Sequence, residues 1–293
     1  MNIPNDFSSP GFSIQTAYYL VNACSVSYLD QFGDWAVTLA LGERAAMFQL
    51  GELHGFVADM EDATLLAFRG TDSIATWLVD GRALQIADPA YSGRVHRGFA
   101  NALRAIWPDL KQQMPPPTAG RPVWVTGHSL GAALATLAAV RLLNEGYDVR
   151  ATYTYGSPRV GNLDFYNGYK PVNYRFVNNN DLVPHVPPEF MLAAIPLEDR
   201  ELFGNPAQGL LHFAYKHVGT LKYMDRHGKL GEGMSDWDQK KEFLAASLMR
   251  GQGLFEPAAV ADHHIWNYVK AVGSNLPGGA PPAPMVAVAA ALS

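Results

Sequence analysis

Five residues constrain this chain more than any others: Gly127-His128-Ser129-Leu130-Gly131. They read G-x-S-x-G, the pattern of a sharp strand-to-helix turn that lifts a serine hydroxyl out of a sheet. Glycine at both ends removes side chains that would clash in so tight a turn. The flanks agree with this. Val123-Trp124-Val125-Thr126, just after Pro122, is a short β-prone run, and Ala132 to Leu143 is rich in Ala and Leu, as a helix should be. Asn144-Glu145-Gly146 supplies a helix stop. A serine hydroxyl is a weak nucleophile in water and needs a neighbouring base. The motif therefore asks for a histidine and a carboxylate elsewhere in the chain.

Composition narrows the partners. The 293 residues carry 22 Lys and Arg against 27 Asp and Glu, a net charge of −5 with no basic run, which argues against nucleic acid. The apolar fraction of 48% and charged fraction of 17% are those of a soluble globular chain. Cys24 is the only cysteine, so no intrachain disulfide forms and a reducing compartment fits. Met1 to Asp6 lacks the basic-then-apolar layout of a signal peptide, so a cytoplasmic location or export by a signal-independent route is expected. No apolar run reaches the length of a membrane span.

From the N-terminal side, Ile14 to Tyr28 predicts an amphipathic helix with one apolar face and Cys24 as a small core residue. Ala45–Leu50, Gly55–Met60 and Ala63–Phe68 predict a β-meander with Glu61-Asp62 at a hairpin tip. The last strand ends in Arg69-Gly70-Thr71-Asp72, either an ordinary turn or a loop that stabilises an anion. Ile74, Trp77 and Leu78 then share one face of a short helix, which is either core or a movable lid over a site. Phe99, Leu103, Ile106 and Leu110 mark another helix, in which Pro108 predicts a kink or a second start. Beyond the elbow, Val149–Tyr155 and Tyr174–Val177 read as strands, and His217–Met224 as a further one with a turn at Asp225-Arg226-His227-Gly228. Trp237 to Leu248 is a helix candidate, and His263-His264 opens the last helix. Strands alternating with helices predict an α/β class chain, a mostly parallel sheet covered on both faces. Ligands in such sheets bind beyond the carboxyl ends of the strands. Thr71, Ser129, Ser157 and Asp181 all follow predicted strands, so they should gather at one edge. No repeat or linker is visible, so one domain over 1–293 is expected, with a poorly ordered tail from about 274.

The elbow's partners follow from chain order. In α/β-hydrolases the serine is followed by the acid and then the histidine. Asp181, after a strand and a polar turn, and His263 satisfy that order, and on the residues alone His264 stands level with His263. The other histidines (His54, His96, His128, His185, His212, His217, His227) have no metal-ligand spacing and read as structural or surface. No metal or organic cofactor is expected.

Five blocks together closely resemble the fungal-type class 3 lipases: Arg69-Gly70-Thr71, Val95-His96-Arg97-Gly98-Phe99, Gly127 to Gly131, Tyr155-Gly156-Ser157-Pro158-Arg159-Val160-Gly161, and Asn178-Asn179-Asn180-Asp181-Leu182-Val183-Pro184. The resemblance spans about residues 64–188, with a weaker match at Asp262 to Val269. It implies the α/β-hydrolase fold and cleavage of carboxylic esters of glycerol lipids. By block matching it implies Ser129 as nucleophile, Asp181 as acid and His263 as base. It also implies Thr71 and the Leu130 N–H as oxyanion donors, and a lid helix at Ser73 to Asp80. The fungal members are secreted and disulfide-stapled, which a chain with one cysteine is not, so an intracellular or bacterial-like member is implied. Residues from Pro187 to about Asp262 match no block.

The leading expectation is a triacylglycerol lipase that acts on acylglycerols at a transient lipid–water interface, as a monomer. Phospholipase A1 and short-chain or feruloyl-type esterases share the chemistry. A non-catalytic lipid-binding module on the same scaffold is the reading of another class, against which the complete Ser-Asp-His set argues.

Overall fold

In the computed structural model the described residues are Phe7 and 11–28, 45–60, 62–71, 84–118, 120–189, 213–231 and 261–279. In chain order the helices are α1 (Ile14–Val26), α2 (Arg97–Gln113), α3 (Leu130–Asn144), α4 (Leu163–Gly168) and α5 (Ile265–Gly273). The strands are β1 (Ala45–Leu50), β2 (Leu53–Asp59), β3 (Thr64–Phe68), β4 (Gln85–Ala87), β5 (Arg94–His96), β6 (Pro122–His128), β7 (Asp148–Tyr155), β8 (Gly161–Asn162), β9 (Asn173–Asn178), β10 (Tyr215–Lys216) and β11 (Thr220–Met224).

Among the described residues, seven strands form one sheet in the order β1-β2-β3-β6-β7-β9-β11. β1, β2 and β3 are the expected antiparallel meander. From β3 onward every neighbour is parallel. This is the mostly parallel α/β-hydrolase sheet, with β6 at its centre. β3 is buried along its whole length, the pattern of an interior strand covered on both faces. A smaller sheet, β10-β8-β5-β4, flanks it.

Alternation along the strands divides the core in two. Leu66, Phe68, Val123 and Val125 pack with α2 and α3. Leu65, Ala67, Trp124, Tyr153, Tyr155 and Phe176 pack with α1 and α5. α3 lies close on the sheet because alanines dominate its buried side: Ala132, Ala133, Ala135, Ala138 and Ala139 are all fully buried.

Two expectations change. α1 does not show a single apolar face. It is buried from Thr16 to Val26, because α5 and the sheet pack it from different sides. Two of its polar side chains donate back to its own backbone: Asn22 Nδ2 to the Tyr18 carbonyl at 2.7 Å and Ser25 Oγ to that of Asn22 at 2.7 Å. Cys24 is a core residue, with its Sγ 3.1 Å from Thr126 Oγ1. Pro108 does not begin a second helix. α2 runs through it, with Phe99, Leu103, Ile106 and Leu110 buried on one face. Pro108 and Arg104 lie on the exposed face, so water can reach the carbonyl that the proline leaves without a donor. The helix candidate at Trp237 to Leu248 and the stripe of Ile74, Trp77 and Leu78 fall outside the described residues.

Candidate active site

The carboxyl ends of β3, β6, β7 and β9 lie side by side, so the residues that follow them gather at one edge of the sheet. At the end of β6, Ser129 has φ 60° and ψ −126°, in the left-handed half of backbone space. A non-glycine residue held there is strained and persists only where its surroundings over-determine it. The constraints are visible. Ser129 N–H donates to the Tyr155 carbonyl at 3.0 Å. A Cβ on Gly127 would lie 2.1 Å from the Gly131 carbonyl oxygen, and one on Gly131 would lie 2.4 Å from that of Phe68. The serine is 1% exposed.

His263 precedes α5, and its Nε2 lies 2.8 Å from Ser129 Oγ. Its Nδ1 faces both oxygens of Asp181, at 3.0 and 2.9 Å. A carboxylate only accepts, so Nδ1 carries the proton and Nε2 accepts from the serine hydroxyl. Asp181 is fully buried and the imidazole nearly so. His264, by contrast, is exposed and sits at the N-cap of α5.

The carboxylate is held from two further directions. Val183 N–H donates to Oδ1 at 2.9 Å, and Tyr268 Oη–H donates to Oδ2 at 2.5 Å. Burial, reinforced by the adjacent Asp181 charge, holds the Tyr268 phenol well above its ordinary range, so it stays a donor. The same phenol oxygen accepts from Asn178 N–H at 3.1 Å. The histidine loop is clamped to the acid loop through Asp262. Its Oδ2 accepts from Asn179 Nδ2 at 2.9 Å and Asn180 N–H at 3.3 Å, and its carbonyl accepts from Asn178 Nδ2 at 2.9 Å. The polar run Asn178-Asn179-Asn180 is therefore the joint between two loops, a role that spacing along the chain does not reveal. Gly156, with φ 58°, leaves room for the assembly: a Cβ there would lie 2.9 Å from Asp181 Oδ2 and 2.9 Å from the His263 ring.

The Gly70-Thr71 loop borders Ser129, since a Cβ on Gly70 would lie 2.9 Å from that of the serine. Leu130 opens α3, whose first-turn N–H groups have no partner inside the helix and whose dipole favours negative charge. Ser157 comes to the same edge, but its hydroxyl turns to the Pro158 carbonyl at 3.1 Å. His128, expected to be structural or surface, stacks on His263 with ring centroids 4.6 Å apart. Among the described residues, no group of three or more His, Cys, Asp or Glu side chains could hold a metal ion, and no helix is long and apolar enough to cross a membrane.

A family profile described as Lipase (class 3) matches residues 65–191, the stretch that carries Gly70-Thr71, Ser129 and Asp181. That stretch of the chain is similar to the class 3 lipase family. Over 141 residues it is 36% identical to the secreted mono- and diacylglycerol lipase A of Penicillium cyclopium, a stretch covering 45% of this chain and 46% of that protein. The chain thus spans somewhat less than half of that relative's length. A solved triacylglycerol lipase, described as having a serine protease triad as its catalytic centre, superposes with a TM-score of 0.51 at 26% identity over 72% of this chain and 80% of that one. A mutant form of a Penicillium cyclopium protein superposes with a TM-score of 0.60 at 23% identity, over 86% and 96% of the two chains, a likeness of fold.

Proposed function

We propose that this chain is a serine hydrolase of acylglycerol esters. The observation that carries the reading is the unbroken hydrogen-bonded line from Ser129 through His263 to Asp181. His263 Nε2 takes the serine proton as Oγ attacks the ester carbonyl. Asp181 keeps the imidazole in the tautomer that can accept that proton, then stabilises the imidazolium. Thr71 and the Leu130 N–H receive the developing oxyanion; removing one such donor typically costs about 10²–10³ in rate. The protonated His263 delivers its proton to the leaving glycerol oxygen. Water then attacks the acyl-enzyme by the same route, and the fatty acid departs.

The acylglycerol class is supported by the mono- and diacylglycerol and triacylglycerol lipases among the similar proteins. Interfacial behaviour rests on the apolar spacing of Ile74, Trp77 and Leu78. A lid with that stripe opens against water at roughly 25 cal/mol per Å² of apolar surface uncovered, and a lipid surface removes the penalty. The test is labelling by a fluorophosphonate, together with turnover of tri-, di- and monoacylglycerols and a phospholipid side by side, in the parent chain and Ser129→Ala. The expected result is labelling and glyceride hydrolysis that both vanish in Ser129→Ala. Turnover that survives the substitution, or a preference for the phospholipid, would overturn the proposal.

A further inference from the structure

Behind the reacting groups runs a second hydrogen-bonded line whose members have no place in the mechanism above. Gly70 N–H lies 3.1 Å from Tyr28 Oη, Tyr28 Oη lies 2.7 Å from His128 Nδ1, and His128 Nε2 lies 2.7 Å from the carbonyl oxygen of His263. Chemistry settles the direction of every bond. A carbonyl only accepts, so Nε2 carries the proton. Burial, with the neighbouring His263 adding to it, holds the His128 imidazole well below its ordinary range, so it is neutral with one proton. Nδ1 is therefore bare and accepts from the Tyr28 hydroxyl. The phenol oxygen in turn accepts from Gly70.

We infer that Tyr28 and His128 are positioning residues that tie the Gly70-Thr71 loop to the backbone of His263, and so set the distance between the oxyanion donors and the base across Ser129. This rests on the assignment of Ser129 and His263 above. Each end of the line sits one covalent step from a reacting group. Gly70 is bonded to Thr71, and the carbonyl that His128 holds belongs to His263 itself. The tie is built to close tolerance, because a Cβ on Gly70 would lie 2.3 Å from Tyr28 Oη. It is also packed from the sides: the Arg69 guanidinium lies 5.1 Å from the centroid of the Tyr28 ring, and the rings of His128 and Tyr268 meet edge to face at 5.6 Å. During the reaction negative charge develops at one end and positive charge at the other. Donors already fixed at the required separation lower the barrier because they need no reorganisation when that charge appears. The tie should therefore be felt in kcat and hardly at all in ground-state binding.

The test uses Tyr28→Phe, His128→Phe and the double variant in the whole chain. kcat and KM on a soluble short-chain p-nitrophenyl ester are expressed per Ser129 labelled by fluorophosphonate. Tyr28→Phe is expected to lower kcat about tenfold with KM within about twofold, the loss of one buried hydrogen bond that matters most in the transition state. His128→Phe keeps a stacked ring and should do the same. The double variant should be no more than about twofold worse than the poorer single one, because either change breaks the whole line. Unchanged kcat per labelled serine in Tyr28→Phe, with only a lower Tm, would overturn the inference. So would losses that multiply in the double variant. If His128→Phe does not fold, Tyr28→Phe decides alone, since it deletes one oxygen and keeps the ring. An unlabelled parent chain would refute the proposed function. A labelled parent chain with a fully active Tyr28→Phe would refute only the tie.

Discussion

The two faces of the central sheet do different work. Under α2 and α3 the contacts are mostly aliphatic, Leu103, Ile106 and Leu110 against Val123, Val125 and Leu66. Under α1 and α5 aromatic rings are interleaved with hydroxyls. Tyr155 Oη donates to the Ala17 carbonyl at 2.6 Å, Tyr153 Oη accepts from Ser13 N–H at 3.3 Å, and Thr126 Oγ1 pairs with Cys24. Tyr268, whose hydroxyl reaches Asp181, and Tyr28, whose hydroxyl reaches Gly70 and His128, belong to this second face. Apolar contact is non-directional and roughly proportional to area, so it can hold a helix down without fixing where an atom points. A buried hydrogen bond is directional and costly to leave unmade. The aliphatic face therefore supplies stability, and the aromatic face sets the geometry of the site.

Substitutions on the two faces should then separate turnover from stability. Asp181→Asn has the largest expected effect: kcat on a soluble ester should fall about 10⁴-fold, because an amide cannot hold His263 in the required tautomer. A loss of only tenfold would mean that the carboxylate is not what orients the ring. Tyr268→Phe comes next. It removes the 2.5 Å donor to Asp181 and the acceptor for Asn178 N–H, and about a tenfold drop in kcat is expected with KM unchanged. Leu103→Ala, on the aliphatic face, should cost about 2–5 kcal/mol of stability in urea unfolding and leave kcat per labelled serine unaltered. If turnover fell in proportion, the division between the faces would collapse.

The smallest effect concerns pH. Both faces hold a buried neutral histidine, His128 on one and His96 on the other. His96 caps α2 by accepting Phe99 N–H at Nδ1 over 3.3 Å, and burial with the nearby Arg97 charge lowers its pKa to about 4. The unfolded chain binds this proton below about 6.5 and the folded chain only below about 4. Stability from this group is therefore full above pH 6.5 and is lost as pH falls toward 4, at a slope of up to about 1.4 kcal/mol per pH unit. His96→Asn keeps an acceptor at the cap without a titrating group, and should flatten the urea-midpoint profile between pH 6.5 and 4. An unchanged profile would show that His96 is not one of the groups responsible.

Much of the fold was legible because its signals are local. The meander, the elbow strand, the alanine-rich helix after it and the strands that end at Tyr155 and Asn178 each carry their own pattern of apolar residues and turn residues. Chain order singled out Asp181, which lies against His263 Nδ1, and His263 is the more buried of the two adjacent histidines. Local patterns do not say which side chains meet at a distance. Tyr28 and Tyr268 look like ordinary helix aromatics, and His128 like a filler position in G-x-S-x-G; their hydroxyls and ring nitrogens matter through partners about 40 to 135 residues away. The same limit applied to α1, where periodicity showed one apolar side but not that α5 would cover another.

The order of strands in the larger sheet also bears on timing during synthesis. After β6, which lies at its centre, β7, β9 and β11 are added outward one by one, in the order in which a ribosome would release them. The serine is thus made early, 134 residues before the histidine that lies against it. Until α5 docks against α1 and β9, the nascent chain holds a buried hydroxyl with no base beside it. Under the proposed function, a half-made copy lacks its base, and activity arrives with the seating of a nine-residue helix.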